Sequence, residues 1–294
     1  MNLTRENTKI GFIGTGVMGR SMAAHLVKAG FAVQLFNRTK AKTEELLSLG
    51  AEWKDSVAEV AAHNNVIITM LGYPSDVEQV YLGLPGIVNH AQGGSYIIDM
   101  TTSSPALAKK IYNEAGKKNI MALDAPVSGG DVGAREARLT IMAGGDQNAF
   151  EAVKPILEVM GVNIGLLGNA GAGQYTKMCN QIAIAPGMLG VAEALAYASK
   201  AGLDPEAVLK MIETGAAGSW SLSNYGPRMI AGNFAPGFYI KHFIKDMRIA
   251  LESARDMNLE LPGLELAYSV YEKLAALGEE NSGTHALYKL YTGK

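Results

Sequence analysis

The chain has one cysteine, Cys179, among its 294 residues, so no intrachain disulfide can brace it and a reducing compartment fits. It has no excess of either charge: 26 lysines and arginines stand against 28 aspartates and glutamates, for a formal net charge of −2, and both signs are spread along the sequence. Binding a polyanion or an anionic membrane surface calls for concentrated positive charge, so neither nucleic acid nor membrane is expected as a partner. No continuous apolar run reaches the roughly 18 residues that a bilayer span needs. The segment Met1 to Lys9 is polar and charged, without the apolar stretch of a signal peptide. The five histidines, His25, His63, His90, His242 and His285, show no metal-ligand spacing, so no metal is expected. These absences together lead us to expect a soluble, cytoplasmic protein.

What is present is an apolar fraction of 48%, enough to build sizeable cores over a length that suits two domains. Residues 1–168 alternate short apolar strands with amphipathic helices. Ile10–Ile13 ends in glycine. Helical spacing runs from Met18 to Ala29, and Gly30 is placed to end that helix. Ala32–Phe36, Val66–Met70, Tyr96–Asp99, Met121–Asp124, Leu139–Ala143 and Val162–Leu167 read as strands. Ser56 with Glu59, and Ser75 with Glu78, have the spacing of capping boxes. Ser104-Pro105 marks a further helix start. Such alternation predicts a doubly wound parallel sheet. Residues 169–294 carry almost no strand signal. A long helix over Gln174–Lys200, with a kink expected at Pro186-Gly187, precedes helical patterns near 205–214, 242–257, 262–277 and 284–291. The expected architecture is an α/β Rossmann-type domain, 1–168, joined by a long helix to an all-α domain, 169–294.

Gly14-Thr15-Gly16-Val17-Met18-Gly19 follows a strand and opens a helix, the setting in which this glycine spacing cradles a dinucleotide's phosphates. Gly14 permits the tight turn, Gly16 lets the backbone approach the pyrophosphate, and Gly19 lets helix and strand pack closely. At the end of the second strand an NAD site usually offers an acid to the ribose hydroxyls. Here the residues are Asn37, Arg38 and Thr39. Asn37 and Thr39 can donate hydrogen bonds, and Arg38 offers a planar fork suited to a 2′-phosphate. NADP(H) is therefore expected over NAD(H).

In Gly171-Ala172-Gly173-Gln174-Tyr175-Thr176-Lys177-Met178-Cys179-Asn180-Gln181, helical spacing puts Lys177, Asn180 and Gln181 on one face. A lysine partly withdrawn from water beside an oxidised nicotinamide would be poised for proton transfer near neutral pH. Spacing alone fits a surface lysine equally well. Cys179 is expected to be a buried helix thiol, and Met178, Met188 and Met211 to serve packing. Gly218-Ser219-Trp220-Ser221 interrupts the helical half with small polar residues around a tryptophan. Lys245-Asp246, taken alone, reads as a solvated charge pair.

With Gly11–Gly19, Asp124-Ala125-Pro126-Val127-Ser128-Gly129-Gly130, Gly171–Gln181 and Lys245-Asp246 in this order, the chain resembles the β-hydroxyacid dehydrogenase family over essentially its whole length. That family includes 3-hydroxyisobutyrate dehydrogenase, tartronate semialdehyde reductase and the glyoxylate/succinic semialdehyde reductases. The resemblance implies a 6-phosphogluconate dehydrogenase-like helical domain and hydride transfer between nicotinamide and a small hydroxyacid or semialdehyde. It implies Lys177 as the acid/base, Ser128, Gly129 and Gly130 on the substrate carboxylate, and Asn180 hydrogen-bonded to substrate. Residues matching Leu71, Gly72, Thr102 and Lys245 surround the cofactor, although Gly72 stands where a proline is usual. The Asn180-Gln181 pair resembles the tartronate semialdehyde enzymes and the tryptophan segment the hydroxyisobutyrate ones, so the substrate stays open. A non-catalytic NADP-binding protein and an imine reductase are the alternatives; imine reductases typically lack the lysine, and 6-phosphogluconate dehydrogenases themselves carry a larger helical domain. A homodimer or homotetramer built through the helical domain is expected.

Overall fold

Strand and helix alternate through the first half of the computed structural model, which describes residues 3–292. β1 (Lys9–Ile13), β2 (Ala32–Phe36), β3 (Glu52–Trp53), β4 (Val66–Thr69), β5 (Tyr96–Asp99) and β6 (Met121–Asp124) form one parallel sheet in the order β3-β2-β1-β4-β5-β6. Between them run α1 (Val17–Lys28), α2 (Glu44–Ser48), α3 (Val57–His63), α4 (Pro74–Leu82), α5 (Ile87–His90) and α6 (Pro105–Gly116). β4 and β5 are buried at every position because helices cover both faces of the sheet. One face packs Phe12, Leu26, Leu35, Ile68 and Ile98; the other packs Ile13, Ile67, Val77, Tyr81, Ile97 and Ile111. Strand order reverses between β1 and β4, so the connections leaving their C-terminal ends diverge and open the crevice where such sheets bind ligands.

Several local signals act as the sequence suggests. Gly30, at φ +88°, ends α1. Ser56 Oγ accepts from the Glu59 N–H at 3.1 Å, and Glu59 returns a carboxylate to the Asp55 N–H. Ser104 caps α6, with Pro105 in its first turn. The box expected at Ser75 and Glu78 does not form. Pro74 starts α4 two residues earlier, with Tyr73 at the N-cap, because its fixed φ suits the first helical position. Two-residue β3 was too short to leave a periodic signal.

The sheet also differs from expectation at its far edge. β7 (Val127–Ser128), β8 (Leu139–Ala143) and β9 (Gly161–Leu166) form a separate three-stranded sheet, with β7 antiparallel to β8. Only Ala125 and Pro126 separate β6 from β7, far short of the dozen or so residues that a parallel crossover needs. α7 (Gly130–Arg135) and α8 (Gln147–Leu157) connect these strands.

The chain divides into two compact units, Met1–Lys177 and Met178–Lys294. α9 (Ala172–Lys200) begins in the first, continues into the second and runs unbroken through Pro186. The second unit adds α10 (Pro205–Ile212), α11 (Trp220–Ile230), α12 (Ile240–Asp256), α13 (Pro262–Leu274) and α14 (Lys289–Thr292) around Leu189, Leu195, Phe243, Met247, Tyr271 and Leu287. α11 occupies the stretch that reads as an interruption: Ser219 caps it through the Leu222 N–H at 3.0 Å, and Trp220 is its first residue. Cys179 is exposed rather than buried, and Met211 is 78% exposed rather than packed; in both cases helical spacing did not say which face the core takes. An 18-residue stretch of α9 averages a hydropathy of 1.4, which meets the length and composition of a membrane span although polar residues interrupt every apolar run. Of that stretch, 44% is buried inside the protein, and Ala185, Leu189, Ala192 and Leu195 are packed into the second unit's core.

Candidate active site

The glycine cradle is built by exclusion. A Cβ on Gly14 would lie 2.3 Å from the Met70 carbonyl oxygen, and one on Gly19 would lie 2.0 Å from that of Gly14. Both glycines are therefore demanded by the chain's own backbone. Gly16 is different: a Cβ there would meet nothing within 4 Å. Gly16 is the N-cap of α1 yet makes no side-chain cap, and no acid lies in the first turn, so the helix presents uncapped N–H groups and a positive dipole end. Thr15 is buried, while Gly16 and Val17 are exposed and Met18 is partly so. This arrangement fits a dinucleotide's pyrophosphate, with open space where a larger residue would intrude.

Asn37 has a structural task beyond any donation to a ribose. Its Oδ1 accepts from the Thr15 N–H at 3.1 Å, and its Nδ2 donates to the Thr39 carbonyl at 2.8 Å, tying the end of β2 to the glycine loop. Arg38 is exposed and pairs with Asp76 at 3.1 Å in the first turn of α4. Leu71 and Gly72 follow β4, and the Leu71 N–H donates to Thr101 Oγ1 at 2.8 Å. Thr102 is next in the chain, on the loop after β5.

Beneath these loops sits a buried carboxyl. Asp99 Oδ1 accepts from Thr69 Oγ1 at 2.8 Å and from the Thr101 N–H at 3.1 Å. Burial nevertheless outweighs these donors and pushes the carboxyl up to about 6. A raised acid favours its protonated form in the fold. The associated stability is thus fully present below the unfolded value near 4, falls as pH rises through about 6 and is flat above. Asp99→Asn keeps the Oδ1 acceptor and removes the ionisation. The variant is expected to gain on the wild type between pH 4.5 and 7, reaching about 2–3 kcal/mol, from two pKa units at ~1.4 kcal/mol each. Urea unfolding of both proteins across that range measures it; parallel pH profiles would reject the assignment.

Ser128 closes β7, and Gly129 and Gly130 turn the chain into α7. Gly129 has φ +128° and Gly130 φ +62°, two successive positive values that only glycine adopts readily. Such a turn presents successive backbone N–H groups to an anion.

Lys177 lies on α9 and is only 7% exposed, so it is not a surface lysine. The start of its helix is held by residues that sequence reasoning missed. Asp124, at the C-terminal end of β6, accepts from the Gly171 N–H at 2.7 Å and the Gln174 N–H at 2.8 Å. Burial still moves its carboxyl above the ordinary range. Gln174, fully buried, donates from Nε2 to the Thr101 carbonyl at 2.8 Å and accepts at Oε1 from the Ser103 N–H at 2.9 Å. The available signal was Asp124 itself, an acid ending an apolar strand that must be buried.

Within the second unit, Lys245 and Asp246 on α12 form a buried ion pair at 2.9 Å, with side chains 5% and 1% exposed, instead of a solvated one. Their helix turns this face inward with Phe243, Met247 and Ala250. Gln181 Nε2 donates to the other Asp246 oxygen at 2.6 Å, and Asn180 Nδ2 donates to Gln181 Oε1 at 2.7 Å. The row thereby sets which way the Asn180 amide faces. A pair desolvated to this degree is costly unless its remaining lone pairs are met, and Gln181 meets one of them. His242 is half-buried with its ring edge-on to Tyr239, and burial first, then the Lys245 charge, moves its imidazole below the usual range. Trp220 is 61% exposed and stands edge-on to Tyr225. Among the described residues no group of three or more histidine, cysteine, aspartate or glutamate side chains could hold a metal ion.

Comparison with known proteins gives matches along both halves of the chain. Residues 9–168 match the family described as the NAD binding domain of 6-phosphogluconate dehydrogenase, and residues 171–291 match that described as NAD-binding of NADP-dependent 3-hydroxyisobutyrate dehydrogenase. The uncharacterized oxidoreductase YkwC of Bacillus subtilis (strain 168) is 63% identical, over 96% of this chain and 98% of its own. The 2-hydroxy-3-oxopropionate reductase of Escherichia coli (strain K12) is 40% identical over 92% of each chain. The structure of Mycobacterium tuberculosis 3-hydroxyisobutyrate dehydrogenase with L-serine superposes with a TM-score of 0.89 at 30% identity, covering 96% of this chain and 98% of that one. With a glycine cradle, a buried lysine and relatives matched along nearly their full lengths, this chain belongs to the β-hydroxyacid dehydrogenase family and is a nicotinamide-dependent oxidoreductase of that group.

Proposed function

We propose that the protein is an NADP(H)-preferring reductase of a small semialdehyde that carries a carboxylate, or in reverse a dehydrogenase of the matching β-hydroxyacid, with Lys177 as its general acid/base. The observation that carries this reading is the burial of Lys177, at 7% exposure, on a helix whose first turn is tied to the loop after β5 and to the end of β6. A lysine withdrawn from water in the unit that holds the nucleotide cradle is chemistry-bearing, whereas a binding protein has no need of it. The substrate class is supported by two relatives: one is named for 2-hydroxy-3-oxopropionate, a semialdehyde with a carboxylate, and the other was solved with L-serine, a 3-hydroxy carboxylate.

In this reading Gly14–Gly19 hold the pyrophosphate, Asn37, Arg38 and Thr39 the adenosine ribose and its 2′-phosphate, and Leu71, Gly72, Thr102 and Lys245 the rest of the cofactor. When bound, the nicotinamide supplies or accepts the hydride. Ser128, Gly129 and Gly130 anchor the substrate carboxylate and Asn180 orients the reacting end, so that the carbonyl carbon is held for attack. Lys177 donates a proton to the carbonyl oxygen as it gains charge, and takes the hydroxyl proton in the reverse direction. We place the nucleotide cradle and the contacts to the substrate carboxylate in 1–168, and the contacts to the reacting end of the substrate and the assembly in 169–294, with the exposed Tyr197, Met211 and Leu266 offering apolar area for a homodimer or homotetramer; the setting we propose is cytoplasmic.

Steady-state assays with tartronate semialdehyde, methylmalonate semialdehyde, succinic semialdehyde and glyoxylate, each with NADPH and NADH, test the function. Turnover of none of them rejects it. Arg38→Ala is expected to lower kcat/KM with NADPH by about 10–100-fold, the value of a hydrogen bond to a charged group, and to leave NADH nearly unaffected. An equal loss with both cofactors would remove the 2′-phosphate role.

A further inference from the structure

We propose that Gln174 is a positioning residue that locks Lys177 to the loop carrying Thr102; the proposal rests on Lys177 being the proton-transfer group. Gln174 is fully buried in a place where a hydrophobic side chain would pack at lower desolvation cost. Both ends of its amide are spent on main-chain atoms of one loop, the Thr101 carbonyl at 2.8 Å and the Ser103 N–H at 2.9 Å. Those two residues flank Thr102. Thr101 is itself anchored, its N–H on Asp99 and its hydroxyl on the Leu71 N–H, so the loops after β4 and β5 move as one piece with the glutamine.

Geometry connects this clip to the lysine. Gln174 and Lys177 are one turn apart on α9, at the i, i+3 spacing that stacks side chains on one helix face. Asp124 holds the Gly171 and Gln174 N–H groups and so pins the end of the helix, but a pin at one end leaves rotation about it. The Gln174 side chain supplies a second attachment to a different strand connection, β5 rather than β6. Two attachments fix both the axial position and the rotation of the turn from which Lys177 departs. A single-point hydrogen bond, or an apolar contact, would fix neither. The amide thereby sets the separation between the cofactor loop and the amine, and an error of about 1 Å in such a separation is enough to cost on the order of 100-fold in rate.

The test uses the full-length protein with NADPH and whichever of the four carbonyl acids named above is turned over fastest. Gln174→Met keeps length and volume and removes both hydrogen bonds. In folded protein we expect kcat to fall by about 10–100-fold, with the NADPH Kd and the KM changing far less than kcat, since Gln174 itself is assigned no ligand contact. The deuterium isotope effect on kcat from NADPH labelled at the transferred position should rise, because the chemical step has become slower. A merely structural glutamine would lower the melting temperature without moving the isotope effect. Gln174→Glu keeps an acceptor for the Ser103 N–H and sets an oxygen against the Thr101 carbonyl, and is expected to show the same split at least as strongly, because two acceptors then face each other in a buried place. Wild-type kcat in either folded variant overturns the positioning role, and so does failure of both to fold, which would make Gln174 a folding element. Lys177→Ala, assayed alongside, separates the two ideas. Full activity in that variant overturns the underlying reading, whereas its loss together with unchanged kcat in Gln174→Met overturns only the role of the glutamine.

Discussion

Lys177→Ala is expected to lower kcat by about 10²–10⁴-fold, the span of a lost general acid or base, with NADPH affinity changed by less than about threefold. The size follows from what the side chain does in the proposed reaction. Charge builds on the carbonyl oxygen only as the hydride arrives, so a proton donor acts in the transition state and contributes little to the ground state; kcat falls while KM moves little. The separation of roles predicts the same split. Ser128 closes β7, Gly129 and Gly130 follow it and the glycine cradle follows β1, so none of them is on the helix that bears Lys177. The melting temperature of the variant separates loss of fold from loss of chemistry. Single-turnover rates and a fluorescence titration with NADPH check the two halves. A fall in kcat under about tenfold would remove Lys177 from the chemistry.

Asp124→Ala is expected to cost the first unit about 2–6 kcal/mol, the largest stability effect we foresee. Its two oxygens accept from the buried N–H groups of Gly171 and Gln174, and alanine leaves both without an acceptor at ~1–3 kcal/mol each. With the carboxylate in place the site is tightly packed: a Cβ on Gly173 would lie 2.9 Å from Asp124 Oδ2, and one on Gly144 would lie 2.7 Å from Oδ1. Against a typical domain stability of about 5–15 kcal/mol this is a large fraction. Asp124→Asn keeps one acceptor and should lose roughly half as much. The two tryptophans make the measurement specific, since Trp53 belongs to the first unit and Trp220 to the second. Urea unfolding followed by Trp53 fluorescence in a Trp220→Phe background reads the first unit alone. An unchanged midpoint for Asp124→Ala would show that the helix start has other support.

Much of this protein can be read along the chain because its signals are local. Gly14, Gly16 and Gly19 sit where β1 turns into α1, and the structure explains two of them by backbone contact and the third by open space. The burial of β4 on both faces is written in Val66–Thr69, and the ends of α1, α3 and α6 in Gly30, Ser56 and Ser104. Misreadings arose where two distant segments had to be weighed together. Leu139–Ala143 looks like any central strand, and only the short link at Ala125-Pro126 sends it into a second sheet. Cys179 and Lys177 are two residues apart on one helix, yet one is exposed and the other buried.

The sequence by itself determined the fold class and the glycine turn that opens α1, because glycine spacing, strand burial and helix capping act over a few residues and leave their mark in composition. Tertiary structure alone decided what holds the helix of Lys177. Asp124, Thr101 and Ser103 lie some 50 to 70 positions from their partners around Gln174, at separations where no periodicity survives. Their pairing exists only because neighbouring parallel strands end side by side, and burial then makes each unmet hydrogen bond too costly to leave open.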